Sequence, residues 1–350
     1  MKKIIAYLCV VACAFSMPSC VDSGSLLPSV TGTSYEVLVV MNTPYWKGKS
    51  GDKLREYVAA DMQQVPQIEP LFTISQTNFN GFSSILKPVR NIILADIDST
   101  KYTQNKVYYM KNQWAKPQAV VRICTPNQAE FLKTVDAYGK NIANYLVKNE
   151  IERQKIFYEG YTNRKIKDEL FQKFGISINI PNDIAQMTHT DDFYWITDNK
   201  TNVRRDIVIY SYPYTDKNTF TKEFLLAKRD SVMKKYLPGG VENSYMGTEY
   251  KHIPPVMHAV EVNGNYCAEV RGLWRMVNGE AMGGPFISHT RLDEMNQRII
   301  TAEVFVYAPG QKKRNPLRQL EAVLHSLKMP AEVNALQELV VSSETKKEEK

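Results

Sequence analysis

The sequence runs to 350 residues, 43% of them apolar, which is length and composition enough for a sizeable core in one large domain or two. Its 44 basic residues against 37 acidic give a mild net charge of +7, and the two signs are interleaved along the chain. A nucleic-acid binder gathers Lys and Arg on one face to displace counterions, so that class of partner is excluded.

The chain opens with Lys2 and Lys3 and an uninterrupted stretch of apolar and small residues from Ile4 to Phe15. That stretch falls short of the roughly 20 residues that span a bilayer and matches a signal-peptide core. Ser16-Met17-Pro18-Ser19-Cys20 then sets a small residue before a cysteine, as a lipoprotein signal peptidase requires, although Met17 and Pro18 stand where Leu and Ala or Ser are usual. Residues 1–19 are expected to leave as the signal peptide and Cys20 to carry diacylglyceryl and further acyl chains. Each buried methylene contributes about 0.8 kcal/mol, so two or three chains hold a protein at a membrane without a spanning helix. Ordinary secretion with Cys20 as a thiol or disulfide, and an uncleaved anchor, are the alternatives; both still export the chain. The expected address is the bacterial cell envelope, at either face of the outer membrane, with an envelope protein or ligand as a further partner. Residues 20–33, rich in Ser, Gly and Pro, read as a tether.

In the body of the chain a β-branched or aromatic run leads four times to a proline and then to a helical pattern. Val37 to Met41 leads to Pro44 and then Leu54, Tyr57, Val58 and Met62; Val120 to Cys124 leads to Pro126 and a helix presenting Phe131, Val135, Tyr138, Ile142 and Tyr145. Ile207 to Tyr210 leads to Pro213 and then Phe220, Phe224, Val232 and Tyr236; Glu303 to Tyr307 leads to Pro309 and then Leu317, Leu320, Leu324 and Leu327. In the second unit Thr125-Pro126-Asn127-Gln128 has the form of a capping box with proline at the first helical position. Two related halves, 34–160 and 161–330, would produce four such units, and so would a plain preference of strand exits for proline.

Shorter strands are predicted at 71–75, 90–95, 106–111, 176–180, 193–197, 256–262 and 266–276, with Asn278-Gly279 turning into a return strand at 285–290. Lys165 to Phe174 reads as a helix closed by Gly175, and 331–350 as a short helix and charged tail. The mixture predicts an α+β fold of largely antiparallel sheets packed with helices. Cys124 and Cys267, inside apolar runs without CxxC spacing, are expected as buried hydrophobes, with one long-range disulfide as the alternative.

No set of residues spells out a reaction centre. Asp96-Ile97-Asp98-Ser99-Thr100 ends a strand in the Asp-x-Asp-x-Thr form of the haloacid-dehalogenase phosphatases, where one Asp attacks phosphorus and magnesium bridges the pair. The further acids such a site needs are missing, since Asp191-Asp192 follows no apolar strand, and a polar turn is the expected reading. His252 and His258 are separated by Pro254-Pro255, while His189, His289 and His325 stand alone, so no zinc site is expected. Ser288-His289 lacks a nucleophile elbow. No catalytic residue, metal or cofactor is therefore expected, and a binding or scaffolding role is favoured. The rivals are a hydrolase whose histidines and carboxylates meet only in three dimensions, and a small-ligand or glycan receptor with tryptophans such as Trp46, Trp114 and Trp274 along a groove.

Two segments are expected to make contacts. Arg271-Gly272-Leu273-Trp274, followed by Met282-Gly283-Gly284-Pro285-Phe286, forms a hairpin that offers Arg271 and Trp274. Lys312-Lys313-Arg314 precedes Asn315-Pro316 at a helix start, where each cation opposes the helix dipole by about 0.3 to 1 kcal/mol. That placement makes sense if backbone N–H groups and basic side chains converge on an anion, such as a lipid phosphate or an acidic partner; a solvated basic loop is the plain reading. These segments, with Val306-Tyr307-Ala308-Pro309-Gly310-Gln311 and the signal end, resemble a family of Bacteroidota lipoproteins catalogued as a domain of unknown function over nearly the whole mature chain. The resemblance implies an envelope lipoprotein and carries no activity, substrate or catalytic residue.

Overall fold

A computed structural model describes residues 27–336, so the expected signal peptide, Cys20 and most of the charged tail lie outside the described residues. The first half contains β1 (Glu36–Met41), α1 (Thr43–Trp46), α2 (Lys49–Val58), β2 (Thr73–Thr77), β3 (Asn91–Ile97), β4 (Lys106–Lys111), β5 (Ala119–Thr125) and α3 (Gln128–Gly160). Its strands form one sheet in the order β2-β1-β3-β5-β4. β1 and β3 are buried along nearly their whole length, a composition that suits strands covered on both faces. They run parallel to each other, as β2 does to β1 and β5 to β3, and only β4 is antiparallel. This sheet is therefore mixed and mainly parallel, which corrects the expectation of largely antiparallel sheets for the first half. Leu54, Val58, Phe131 and Ile142 from α2 and α3 cover one face, and Phe79, Phe82 and Trp114 from connecting segments pack on the other. α3 is capped by Asn127, whose Oδ1 accepts the Glu130 N–H at 3.0 Å. The cap lies two residues beyond Thr125 because Thr125 is still paired with Ile97 in the sheet.

The second half contains α4 (Arg164–Phe174), β6 (Gln186–His189), β7 (Phe193–Thr197), β8 (Arg204–Pro213), α5 (Lys222–Tyr236), β9 (Tyr245–Glu249), β10 (Val256–Val262), β11 (Asn265–Val277), β12 (Gly283–Asp293), β13 (Arg298–Tyr307) and α6 (Arg314–Leu324). Seven of its strands follow the order β10-β11-β12-β13-β8-β7-β6, with β9 also paired to β11, and every pairing is antiparallel. α4 ends at Gly175 in the left-handed region, and Asn278 takes a positive φ at the turn between β11 and β12. Residues 176–180 form no strand and make one bridge, Ser177 to Lys328. The chain is thus α+β, but its two sheets differ in direction and order and do not share a topology.

α4 and α6 cover one face of the second sheet and α5 the other. α5 buries Leu225, Leu226, Arg229 and Met233, a stripe offset from the expected aromatic one, because Arg229 is neutralised inside by Glu303. The halves meet along α6: α3 packs against it, and Met62 and Val65 of the first half enter the core beneath α4 and α6. Cys124 and Cys267 are both buried and free. Among the described residues, no helix is long and apolar enough to cross a membrane.

Candidate functional site

A cavity of about 370 Å³ lies at the joint, between the loop at Pro66 and Gln67 and the ends of β11, β12 and β13 in the second sheet. Both segments expected to make contacts line it, through Trp274 and Gly284 on one side and Tyr307 and Lys313 on the other. Gly284 makes this approach possible, since a Cβ there would stand 2.0 Å from the Val306 carbonyl oxygen. The same closeness lets Trp274 Nε1 donate to Val306 O at 3.2 Å, with the indole packed edge-on against Phe305. Trp274 is 1% exposed. It is a wall of the cavity, and the expectation of an exposed tryptophan contact is corrected: the N–H and ring both find partners inside. Trp46, Trp114 and Trp195 are half-buried.

The basic helix start is also internal. The positive end of α6 has its anion, and that anion is Glu69 of the first half, whose carboxylate accepts the Lys313 N–H at 2.7 Å and the Arg314 N–H at 3.0 Å. Arg314 is buried and donates to Pro70 O at 2.6 Å and to Asn315 Oδ1 at 3.0 Å. Of the four residues expected to form a contact surface, only Lys312 and Asn315 are exposed. The structure therefore corrects that surface to a clamp between halves. Lys313 is 6% exposed; its Nζ donates to Gln67 Oε1 at 3.2 Å and to Gln311 O at 3.0 Å. Burial pulls its ammonium pKa down, against the field of Glu69.

Arg271 faces the interior instead of a partner. It donates to both oxygens of Glu269, at 2.6 and 2.9 Å, and to Glu321 of α6 at 2.5 Å. Glu269 stands opposite His289 in the sheet register and meets its Nε2 at 3.1 Å, while Arg318 reaches Glu321 at 2.6 Å. His325 completes the group, its ring 5.1 Å from that of His289. His289 and His325 thus do not stand alone, as the sequence suggested. A signal was present: Cys267, Glu269 and Arg271 alternate toward one face of β11, and Arg318, Glu321 and His325 recur at helical spacing.

Burial pulls the His289 pKa down, but Cys267 and Glu269 outweigh it and hold it at about 9. Burial, helped by the charge on His289, lowers His325 to about 4. Donor atoms of Glu269, His289 and His325 lie within 4.8 Å of one another. Arg271, however, occupies both oxygens of Glu269, and His289 is 0% exposed, so the arrangement is a closed ion network holding α6 on the sheet.

The remaining candidates are local. Asp96 and Asp98 do close a parallel strand, but Asp96 accepts from Tyr102 OH at 2.7 Å, and Asp98 accepts Thr100 N at 2.9 Å and pairs with Lys101. Asp192 lies in the other half and accepts from Tyr236 OH at 2.7 Å. His189 stacks on Tyr194, while His252 and His258 are exposed.

Two family models match the chain, each described as a domain of unknown function: DUF8532 over residues 30–159 and DUF4837 over residues 163–326. Together they cover residues 30–326, so the expected family coverage is met by two adjoining domains of unknown function instead of one. No curated protein matches.

Proposed function

We propose that this chain, with one domain of unknown function on each side of its joint, is an envelope lipoprotein of the Bacteroidota type, anchored by acylated Cys20. Its task is to bind or scaffold another envelope component or ligand, without turnover. The observation that carries this reading is that residues of the hairpin and of the α6 start line a cavity at the joint together with Pro66 and Gln67 of the first half. The hydrolase alternative asks for histidines and carboxylates in a cleft; His289 and Glu269 meet, but in the interior.

The test is crosslinked affinity purification of the full-length protein from native membranes, followed by mass spectrometry, with Cys20→Ser and Ala281→Trp as comparisons. Ala281 is an exposed residue on the cavity rim, so a tryptophan there blocks the opening without entering the core. The expected result is that Cys20→Ser leaves the membrane fraction, while Ala281→Trp stays on the membrane and loses its partner or ligand. A native N-terminus without acyl chains, or a partner retained by Ala281→Trp, would overturn the corresponding part.

A further inference from the structure

An ammonium group has three N–H donors, and among the described residues Lys313 Nζ uses two, both on neutral acceptors: an amide oxygen of Gln67 and the Gln311 carbonyl. No carboxylate of the described residues stands within ion-pair distance of it. The nearest acid in its field, Glu69, has its two oxygens spent on the Lys313 and Arg314 backbone N–H groups. A buried ammonium without a direct ion pair is costly, its third N–H has no acceptor among the described residues, and Lys313 is one of the residues that line the cavity.

The other charged groups on the cavity balance each other. Glu249 Oε2 lies 3.6 Å from Arg275, and Glu249 Oε1 accepts the backbone N–H groups of Lys251 and His252. Of the charged residues that line the cavity, this leaves Lys313 without an acidic partner within ion-pair distance among the described residues. The apolar wall is Leu273, the Trp274 edge, the half-buried Tyr307 ring and Pro309. At about 370 Å³ the space sits at the small end of ligand pockets, which span roughly 300–1,000 Å³.

We propose that this cavity binds the anionic end of a small ligand, a carboxylate or a phosphate, on the Lys313 ammonium, with the ligand's flat apolar part against Leu273 and Tyr307. The inference rests on the cavity being the binding site, as proposed above, and adds the chemistry of its occupant. Burial lowers the Lys313 pKa against the field of Glu69, and a bound anion would raise it by placing a negative charge in direct contact.

The test uses the purified full-length protein in detergent and three probes, benzoate, inorganic phosphate and benzylamine, followed by isothermal titration calorimetry. Benzoate, phosphate or both should bind the native protein, and benzylamine, which has the same ring with the opposite charge, should not. Whichever anion binds identifies the acid group. Lys313→Met keeps the stem and removes the charge, and should weaken that binding at least tenfold. Ala281→Trp should weaken it similarly from the rim, and keeps the test decisive if Lys313→Met fails to fold. Binding of benzylamine as tight as that of benzoate, anion binding indifferent to both substitutions, or no binding of either anion would overturn the proposal. If anion binding depends on Lys313 but no membrane partner is captured, the scaffold reading falls and the pocket stands. Capture that Ala281→Trp abolishes, with anions indifferent to Lys313, sinks this inference alone.

Discussion

On the α5 face of the second sheet, Arg229 and Glu303 form a closed pair: the guanidinium donates to both carboxylate oxygens, at 2.7 to 3.0 Å, and lies 3.8 Å from the centre of the Phe286 ring. On the α6 face, Glu269, Arg271, His289, Arg318 and Glu321 share their bonds, so that each carboxylate has two cationic neighbours. Arg229 also lies 3.5 Å from Asp230, but among the described residues Glu303 has Arg229 as its one cationic partner, whereas each carboxylate of the second arrangement has two. Two faces of one sheet thus bury charge with opposite tolerance for loss.

The widest gap between the faces should come from removing one arginine on each. Arg229→Met leaves Glu303 buried and unpaired, and should cost about 3 to 5 kcal/mol in urea unfolding, with most of the loss recovered when Arg229→Met is combined with Glu303→Leu in the same protein. Arg271→Met leaves Glu269 with His289 and Glu321 with Arg318, and should cost about 1 to 2 kcal/mol. Equal losses would mean that the α6 network acts as a single pair.

Titration sharpens the same contrast. His289, held at about 9 in the fold against an ordinary 6.5, contributes stability fully below pH 6.5 and loses it as pH rises through 9. His325, lowered to about 4, contributes stability fully above pH 6.5 and loses it as pH falls through 4. Each shift corresponds to roughly 3 kcal/mol, so the urea midpoint should peak near pH 6.5 and fall on both sides. His325→Gln should flatten the limb between pH 6.5 and 4, and His289→Gln the limb between 6.5 and 9. A profile unchanged by either substitution would remove the histidines from the network's energetics.

What could be read in advance follows from the same distinction between apolar and ionic burial. β4, β7 and β10 have the bounds that their β-branched and aromatic residues predict to within one residue, and Leu317, Leu320 and Leu324 of α6 face the core as their spacing predicts. β6 and β9 escaped notice because they are short and polar, held by pairing to β7 and β11 instead of by an apolar stripe. The buried stripe of α5 differs from the expected one because Arg229, a surface residue by type, is neutralised by Glu303 from 74 positions away. The candidate cavity was half legible. Trp274 and the basic helix start were both singled out, but their burial depends on Val306 and Glu69, contacts with no local trace in the sequence.

Glu69 supplies the smallest predicted effect and the one that speaks most directly to the joint. It belongs to the first half and caps a helix of the second, so its two bonds tie the halves beside the cavity that Lys313 lines. Glu69→Gln keeps one acceptor oxygen and presents an NH2 group to the other N–H, removing one bond and the negative charge at the helix start. The expected cost is about 1 kcal/mol, within the range for lost helix caps. Hydrogen exchange should locate it: the Lys313 and Arg314 amides should lose protection, while the β12 and β13 amides keep theirs. Unchanged exchange at both amides would mean that the start of α6 is held by its packing and not by its anion. The joint would then rest on its apolar packing and on the bonds of Lys313 to Gln67 and of Arg314 to Pro70, with Glu69 adding nothing.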